Sequence, residues 1–305
     1  MTFDLDVNIE NLIKPLPIWK MSGSGNDFIV IDNRDERLPE PLKSSWTRRV
    51  CRPRVGLGAD GVVLIERVQS GAEDTADVRW RYFNADGSEG EMCGNGAMCG
   101  ARFAIEQGIA PNPCRMLTQS GVVRAQLTNG TVWLEMPDTG PVEFDIDLPD
   151  LPSPVRCHAI SVGVPHVVIP VEDADRWPNN RSFDEIGRAI RYHPRFAPAG
   201  TNVNVISKEA GGGIRMRTWE RGVEAGTLAC GTGAVASAIV SAALRRSTLP
   251  TAVRTSSGRI LRVYGHLHAQ AGRDVRLGGI ASIIATGDLQ PDAWSQQEAE
   301  SKNDE

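Results

Sequence analysis

The chain lacks a CxxC pair, lacks any excess of basic charge, and lacks the unbroken apolar stretch of roughly 18 residues that a membrane helix needs. Each absence removes a class of function. Without CxxC spacing, neither a structural zinc site nor a thioredoxin-like redox site has support. Without the long apolar run, no helical membrane span is expected. A net charge of -5 supplies no basic face to neutralise phosphates, so nucleic-acid binding is not expected and a small polar substrate fits better. No low-complexity tract interrupts a composition of 41% hydrophobic and 23% charged residues, which is that of a folded protein long enough for two cored domains. Met1 to Lys20 carries acidic side chains where a secretory signal would be basic. The expected setting is therefore cytoplasmic, with the six cysteines as reduced thiols and not a disulfide framework.

What is present is a repeat. Cys93-Gly94-Asn95-Gly96-Ala97 matches Cys230-Gly231-Thr232-Gly233-Ala234, and each motif opens a helical pattern, over Gly96 to Gln107 and Ala234 to Leu244. Thr118-Gln119-Ser120-Gly121 follows Cys93 at the same offset as Thr255-Ser256-Ser257-Gly258 follows Cys230. Upstream, Gly25 to Ile31 precedes Cys93 as Gly163 to Ile169 precedes Cys230, with the offsets differing by a single residue. A duplicated domain accounts for all three coincidences. Short apolar or alternating runs predict strands at Phe28 to Asp32, Val62 to Glu66, Val78 to Phe83, Val122 to Leu127, Val132 to Met136, Val167 to Val171 and Asn202 to Ile206. The expected organisation is an extension over 1–16, a first domain over 17–139 completed by a strand from 279–289, a second over 140–278, and a polar tail over 290–305. Two such domains facing each other would set the two cysteines on opposite walls of one cleft.

Paired thiols suit inversion of an amino-acid α-carbon, because one group must take the α-proton from one face while another delivers a proton to the opposite face. A cysteine at a helix N-terminus can play either part, since that position favours the thiolate. The glycines after each cysteine let the backbone approach a ligand and leave the first helical N–H groups for a carboxylate. Negative charge developing on that carboxylate would then be stabilised in place, without a cofactor as electron sink. A cysteine is more often a small buried hydrophobe, and Cys51, Cys99, Cys114 and Cys157 are expected to be that. Cys93 and Cys230 differ in their repeated setting.

The blocks Lys20-Met21-Ser22-Gly23-Ser24-Gly25-Asn26-Asp27-Phe28, Phe83 to Glu89 running into Met92-Cys93-Gly94-Asn95-Gly96, Gly200-Thr201-Asn202-Val203-Asn204, and Glu220-Arg221-Gly222 running into Ala229-Cys230-Gly231-Thr232-Gly233 resemble the signature blocks of the diaminopimelate epimerases. The resemblance covers about residues 17 to 289. It implies an α/β fold of the α+β type: two pseudo-symmetric domains, each a curved, mostly antiparallel sheet wrapped around a central helix, with the active site in the cleft between them. It also implies interconversion of LL- and meso-diaminopimelate for lysine and cell-wall synthesis. By that pattern Cys93 and Cys230 are base and acid, and His166 and Glu220 contact the substrate ammonium and support proton transfer. Gly94, Asn95, Gly231 and Thr232 supply N–H groups to the reacting carboxylate. Asn26, Asn84, Asn202 and Arg221 match substrate-binding positions, the last three suited to the distal carboxylate. No cofactor or metal is implied; the partner is a small amino-acid substrate, and a homodimer is compatible with the sequence.

Three positions depart from the pattern: Ser22 stands where His is common, Val164 where Asn is common and Gly226 where Glu is common. Val164 matters most, since valine cannot donate a hydrogen bond to the distal carboxylate. A related racemase acting on another amino acid, such as proline, is the nearest alternative, and Asn95 stands where the proline racemases resembled here carry His. A silent binding protein on the same fold and a thiol oxidoreductase are the alternatives of other classes. Gly56-Leu57-Gly58-Ala59-Asp60-Gly61 formally matches a dinucleotide fingerprint, but a strand-like run follows where that fold requires a helix. His266 and His268 would share one face of a strand, with no ligand pattern around them to complete a metal site.

Overall fold

The computed structural model describes residues 14–69, 71, 75–149, 151, 155–176 and 182–295. They divide into two compact units, one running to Leu127 and resuming at Ala281, the other Thr128–Ile280. The first contains β1 (Leu16–Gly23), β2 (Asn26–Asp32), α1 (Lys43–Val50), β3 (Gly61–Glu66), β4 (Val78–Asn84), β5 (Glu89–Gly90), α2 (Gly94–Glu106), β6 (Cys114–Thr118) and β7 (Gly121–Thr128). The second contains β8 (Thr131–Glu135), β9 (Glu143–Ile146), β10 (Cys157–Val162), β11 (Val164–Pro170), α3 (Phe183–Arg191), β12 (Asn202–Lys208), β13 (Ile214–Glu220), β14 (Ala225–Thr227), α4 (Gly231–Ala243), β15 (Thr251–Arg254), β16 (Ile260–His268) and β17 (Ala271–Gly279). The chain then returns to the first unit as β18 (Ala281–Leu289), antiparallel to β1, followed by the short α5 (Asp292–Ser295).

The duplication is visible in the ladders. In the first unit β1–β2 is antiparallel, β2–β3 parallel, β3–β4 antiparallel, β4–β6 parallel and β6–β7 antiparallel. The second repeats that order as β10–β11, β11–β12, β12–β13, β13–β15 and β15–β16. A parallel pair cannot be closed by a tight turn, and each is bridged by a helix: α1 and α2 in one unit, α3 and α4 in the other.

The central helices follow from their composition. Gly233 through Ser241 of α4 are all buried, and nothing in Gly-Thr-Gly-Ala-Val-Ala-Ser-Ala-Ile-Val-Ser-Ala-Ala is bulkier than isoleucine. A helix with no charged face has no side to offer water, and small residues let strands approach closely from several directions. In α2, Gly100 makes room for Trp80 of β4: a Cβ there would stand 2.7 Å from the indole. Strands between a central and an outer helix are covered on both faces and carry apolar runs without alternation, as in β3, where all six residues are buried. Ile29, Ile31, Val62 and Leu64 turn outward to Trp46 and Val50 of α1, leaving Phe28, Val30 and Val63 for α2. The outer helix α3 packs Phe183, Ile186 and Ile190 on Val203, Val205 and Trp219. Its start is fixed by Ser182, whose hydroxyl accepts from the Glu185 N–H at 3.0 Å.

Three expectations need correction. Both central helices begin directly after their cysteines, at Gly94 and Gly231 and not at Gly96 and Ala234. Glycine is a weak helix former inside a helix but costs little in the first turn, whose N–H groups have no intrahelical partner in any case. The division falls at 127/128 and not at 139/140, because β8 pairs antiparallel with β17. The tail expected over 290–305 begins as structure: Trp294 of α5 lies 6.1 Å from Trp46 and packs on the core beneath α1. Of the two expected extensions, residues 1–13 and 296–305 lie outside the described residues.

Candidate active site

In the first unit Cys93 is the N-cap of α2, with extended backbone (φ -138, ψ 112), and its sulfur accepts from the Gly96 N–H at 3.5 Å. Gly94 and Asn95 are the first two helical residues. Asn95 is buried and its Nδ2 donates to Asn26 Oδ1 at 2.8 Å, bringing the helix start against the start of β2. Asn26 Nδ2 in turn donates to Asp60 at 2.9 Å. A carboxylate only accepts, so Asp60 fixes which way the Asn26 amide points, and Asn26 fixes Asn95. Asn95 Oδ1 is left buried with no partner among the described residues. Asn84 ends β4, and its Nδ2 donates to Ser88 Oγ at 3.0 Å within the turn that Asp86 also stabilises. The structure gives Asn84 a turn role.

In the second unit Cys230 is the N-cap of α4 with nearly the same backbone (φ -131, ψ 118), and its sulfur lies 3.6 Å from the Thr232 hydroxyl. Gly231 and Thr232 are the first helical residues. His166, buried on β11, has Nδ1 at 3.1 Å from Nδ2 of Asn204 on β12. Gly233 ties the helix start to that pair: a Cβ there would stand 2.5 Å from Asn204 Oδ1 and 3.2 Å from Cys230 Sγ. Asn202 Nδ2 donates to the Pro165 carbonyl at 3.2 Å, and its Oδ1 accepts from the Arg221 N–H at 2.9 Å. This clips the end of β13, carrying Glu220 and Arg221, to β11. No ion pair to the Arg221 guanidinium is found among the described residues.

The electrostatics separate these groups. Burial, with a smaller contribution from the Arg221 guanidinium, pushes His166 down to about 3, so the ring is neutral at ordinary pH. Burial raises the Glu220 carboxyl, with the Thr227 hydroxyl pulling it partly back. Burial also pushes the thiols of Cys51, Cys114 and Cys157 up to about 12 and raises that of Cys99, which suits inert core residues. Each N-cap cysteine stands instead where the helix dipole favours negative charge.

The motifs set aside in the sequence stay outside this arrangement. Gly56 to Gly61 is a loop entering β3, and His266, with Nδ1 3.5 Å from Asp274, is exposed on β16. Among the described residues no group of three potential ligands could hold a metal ion. Ser22 and Val164 are part-buried on β1 and β11, and Gly226 is exposed on β14. Sequence reasoning missed Asp60, Asn204 and Thr218.

The fold of this chain is one shared with solved structures. The fold is similar to a probable proline racemase from Agrobacterium radiobacter (TM-score 0.63, 16% identity, 90% of this chain and 92% of that one) and to a hydroxyproline epimerase from Agrobacterium vitis (TM-score 0.64, 17% identity, 90% and 92%). A PhzF-family phenazine biosynthesis protein from Enterococcus faecalis is similar as well (TM-score 0.66, 16% identity, 90% and 99%). At these identities the likeness is one of fold. The sequence is more specific: the diaminopimelate epimerase model matches residues 18–144 and 158–268. The chain is 42% identical to a diaminopimelate epimerase of Aquifex aeolicus (81% of this chain, 89% of the relative) and 39% identical to one of Hydrogenobaculum (81% and 90%). This chain belongs to the diaminopimelate epimerase family.

Proposed function

We propose that the chain interconverts LL- and meso-2,6-diaminopimelate without a cofactor, using Cys93 and Cys230 as its two proton carriers, in lysine and peptidoglycan precursor synthesis. The observation that carries this reading is the placement of both cysteines as N-caps of equivalent helices with nearly equal backbone angles. One thiolate removes the α-proton while the other residue, as a thiol, protonates the opposite face, and the roles exchange when the reaction runs backwards. The N–H groups of Gly94, Asn95, Gly231 and Thr232 hold the reacting carboxylate and stabilise the charge that grows on it. Glu220 accepts from the substrate ammonium, and His166 supports the reacting end. Arg221, with Asn26, Asn84 and Asn202, recognises the rest of the substrate, Arg221 supplying a planar fork for the distal carboxylate. We place the enzyme in the cytoplasm, where its thiols stay reduced, and a homodimer belongs to the same proposal.

Val164 gives a second reading its one specific support. It begins β11, paired with Val162, and offers an apolar surface where an amide is common. An amino acid without a distal carboxylate would suffer less from that change. The two readings separate on purified protein supplied in parallel with LL-diaminopimelate, proline and lysine, by chiral analysis of the products. Conversion of LL- to meso-diaminopimelate with both other amino acids unchanged supports the proposal; inversion of proline with diaminopimelate untouched overturns it.

A further inference from the structure

The ladder registers let the two units be compared residue by residue. Phe28 pairs with Gly61 as His166 pairs with Asn202, and Val63 pairs with Tyr82 as Asn204 pairs with Thr218. Phe28, Val63 and Tyr82 in one unit therefore correspond to His166, Asn204 and Thr218 in the other. The first set is largely apolar, with the rings of Phe28 and Tyr82 meeting edge to face at 5.9 Å. The second set is a hydrogen-bonded string, and all three of its side chains are buried. Burying polar groups costs free energy even when they are paired, and the first unit shows that the fold does not require them at these positions.

The string has a direction. Thr218 Oγ1 donates to Asn204 Oδ1 at 2.9 Å, and Asn204 Nδ2 donates to the Val167 carbonyl at 3.2 Å. A carbonyl oxygen only accepts, so the amide edge facing Val167 is the NH2, which leaves Oδ1 to accept from the Thr218 hydroxyl. That NH2 lies 3.1 Å from His166 Nδ1, which must accept. The proton of the neutral imidazole then sits on Nε2. Nε2 is buried and has no partner among the described residues.

We infer that Thr218 and Asn204 are positioning residues that hold His166 as the Nε2–H tautomer, so that it enters the reaction as a donor to an anionic acceptor and not as an acceptor for the substrate ammonium. The ring is neutral and can give one N–H but cannot receive one at that nitrogen. A carboxylate oxygen or a thiolate meets it; an ammonium does not. The ammonium is then left to Glu220, which revises the role that family resemblance gives His166. The catalytic consequence rests on the epimerase reading, whereas the tautomer does not.

Long-range proton–nitrogen spectra of protein labelled with 15N-histidine read the tautomer directly on the wild-type chain. The His166 signals are assigned by their loss in His166→Gln or, should that variant not fold, by elimination through replacement of His158, His193, His266 and His268. The expected result is a protonated Nε2 and a bare Nδ1 at neutral pH. A proton on Nδ1, a rapidly averaged pair or an imidazolium would overturn the inference. Thr218→Val keeps the shape and removes the donor to Asn204, so the tautomer signal should average and kcat should fall, with Thr218→Ser restoring both. The expected fall is on the order of 10-fold to 100-fold, the range seen when the partner that orients a metal-bound histidine is removed. An unchanged Nε2–H signal in Thr218→Val also contradicts the inference. Because the spectra need no substrate, failure of the diaminopimelate assay leaves this test standing, and the two failures are distinguishable.

Discussion

The two units carry the same ladder order and the same cysteine-capped helix, yet they spend their buried positions differently. Beneath α2 the first unit sets Phe28, Val63 and Tyr82; beneath α4 the second sets His166, Asn204 and Thr218. What the two units share is the cysteine N-cap and the helix start. What differs is everything that would distinguish one end of a substrate from the other: Asn84 ends β4 where Glu220 ends β13, and Gly61 stands where Asn202 does. A duplicated scaffold can invert a carbon with equivalent thiols, but it must hold an unsymmetrical substrate with inequivalent side chains.

The largest effect falls on what is shared. Cys93→Ala and Cys230→Ala should each lower epimerisation by about 100-fold to 10,000-fold, the range assigned to a positioned acid or base, with circular dichroism unchanged. The two losses should be of similar size because the two positions are equivalent; near wild-type turnover in either variant would break the comparison at its root.

Next comes a residue found in one unit alone. Arg221→Met should lower kcat/KM for LL-diaminopimelate by at least about tenfold, or 1.4 kcal/mol. The guanidinium is part-exposed, so the loss should stay below the 3 to 5 kcal/mol typical of breaking a fully buried pair. Steady-state kinetics, with thiol reactivity as a check on the reacting end, measure it. A smaller change would mean that the distal carboxylate is bound elsewhere.

A smaller effect on stability sharpens the comparison further. The combined replacement His166→Phe, Asn204→Val and Thr218→Val gives the second unit an apolar set like the first. It should fold at least as stably as the parent, since the string it replaces buries a His166 Nε2 that has no partner among the described residues, while losing activity. A collapse of the fold in denaturant titration would show that the string is structural. The same variant carries a pH signature. His166 is depressed from 6.5 to about 3 in the folded protein. Its contribution to stability is therefore present above the unfolded value and is lost as pH falls from 6.5 toward 3, because the unfolded chain takes up a proton that the folded one refuses. The acid slope of stability should be shallower in the variant by up to one proton; an unchanged slope would show that His166 is not held neutral.

Much of this was legible in the sequence because glycine and cysteine at fixed spacing are rare enough to reveal a duplication, and because the blocks around the two cysteines resemble those of one family. The starts of those helices were harder to place, since glycine at the first helical position carries no propensity signal. Asn204 and Thr218 looked like ordinary strand residues: their function lies in a hydrogen-bond direction across three strands, and no one-dimensional pattern carries that. Asp60 was hidden in a glycine-rich run whose formal match to a nucleotide motif drew attention from the carboxylate itself. Trp294 sits in a polar stretch, and only the core beneath α1 gives its indole a reason to be ordered.

The central claim is that two thiols act on opposite faces of one α-carbon of diaminopimelate, and the first moments of reaction in deuterium oxide test it most directly. When LL-diaminopimelate is converted, the account predicts that the meso product carries one solvent deuterium at the inverted carbon while the unreacted LL pool carries almost none. The proton removed by one cysteine is not the one returned by the other. Deuterium entering the remaining LL substrate as fast as it enters the product would mean that a single base serves both faces, and absence of any meso product would remove diaminopimelate as the substrate.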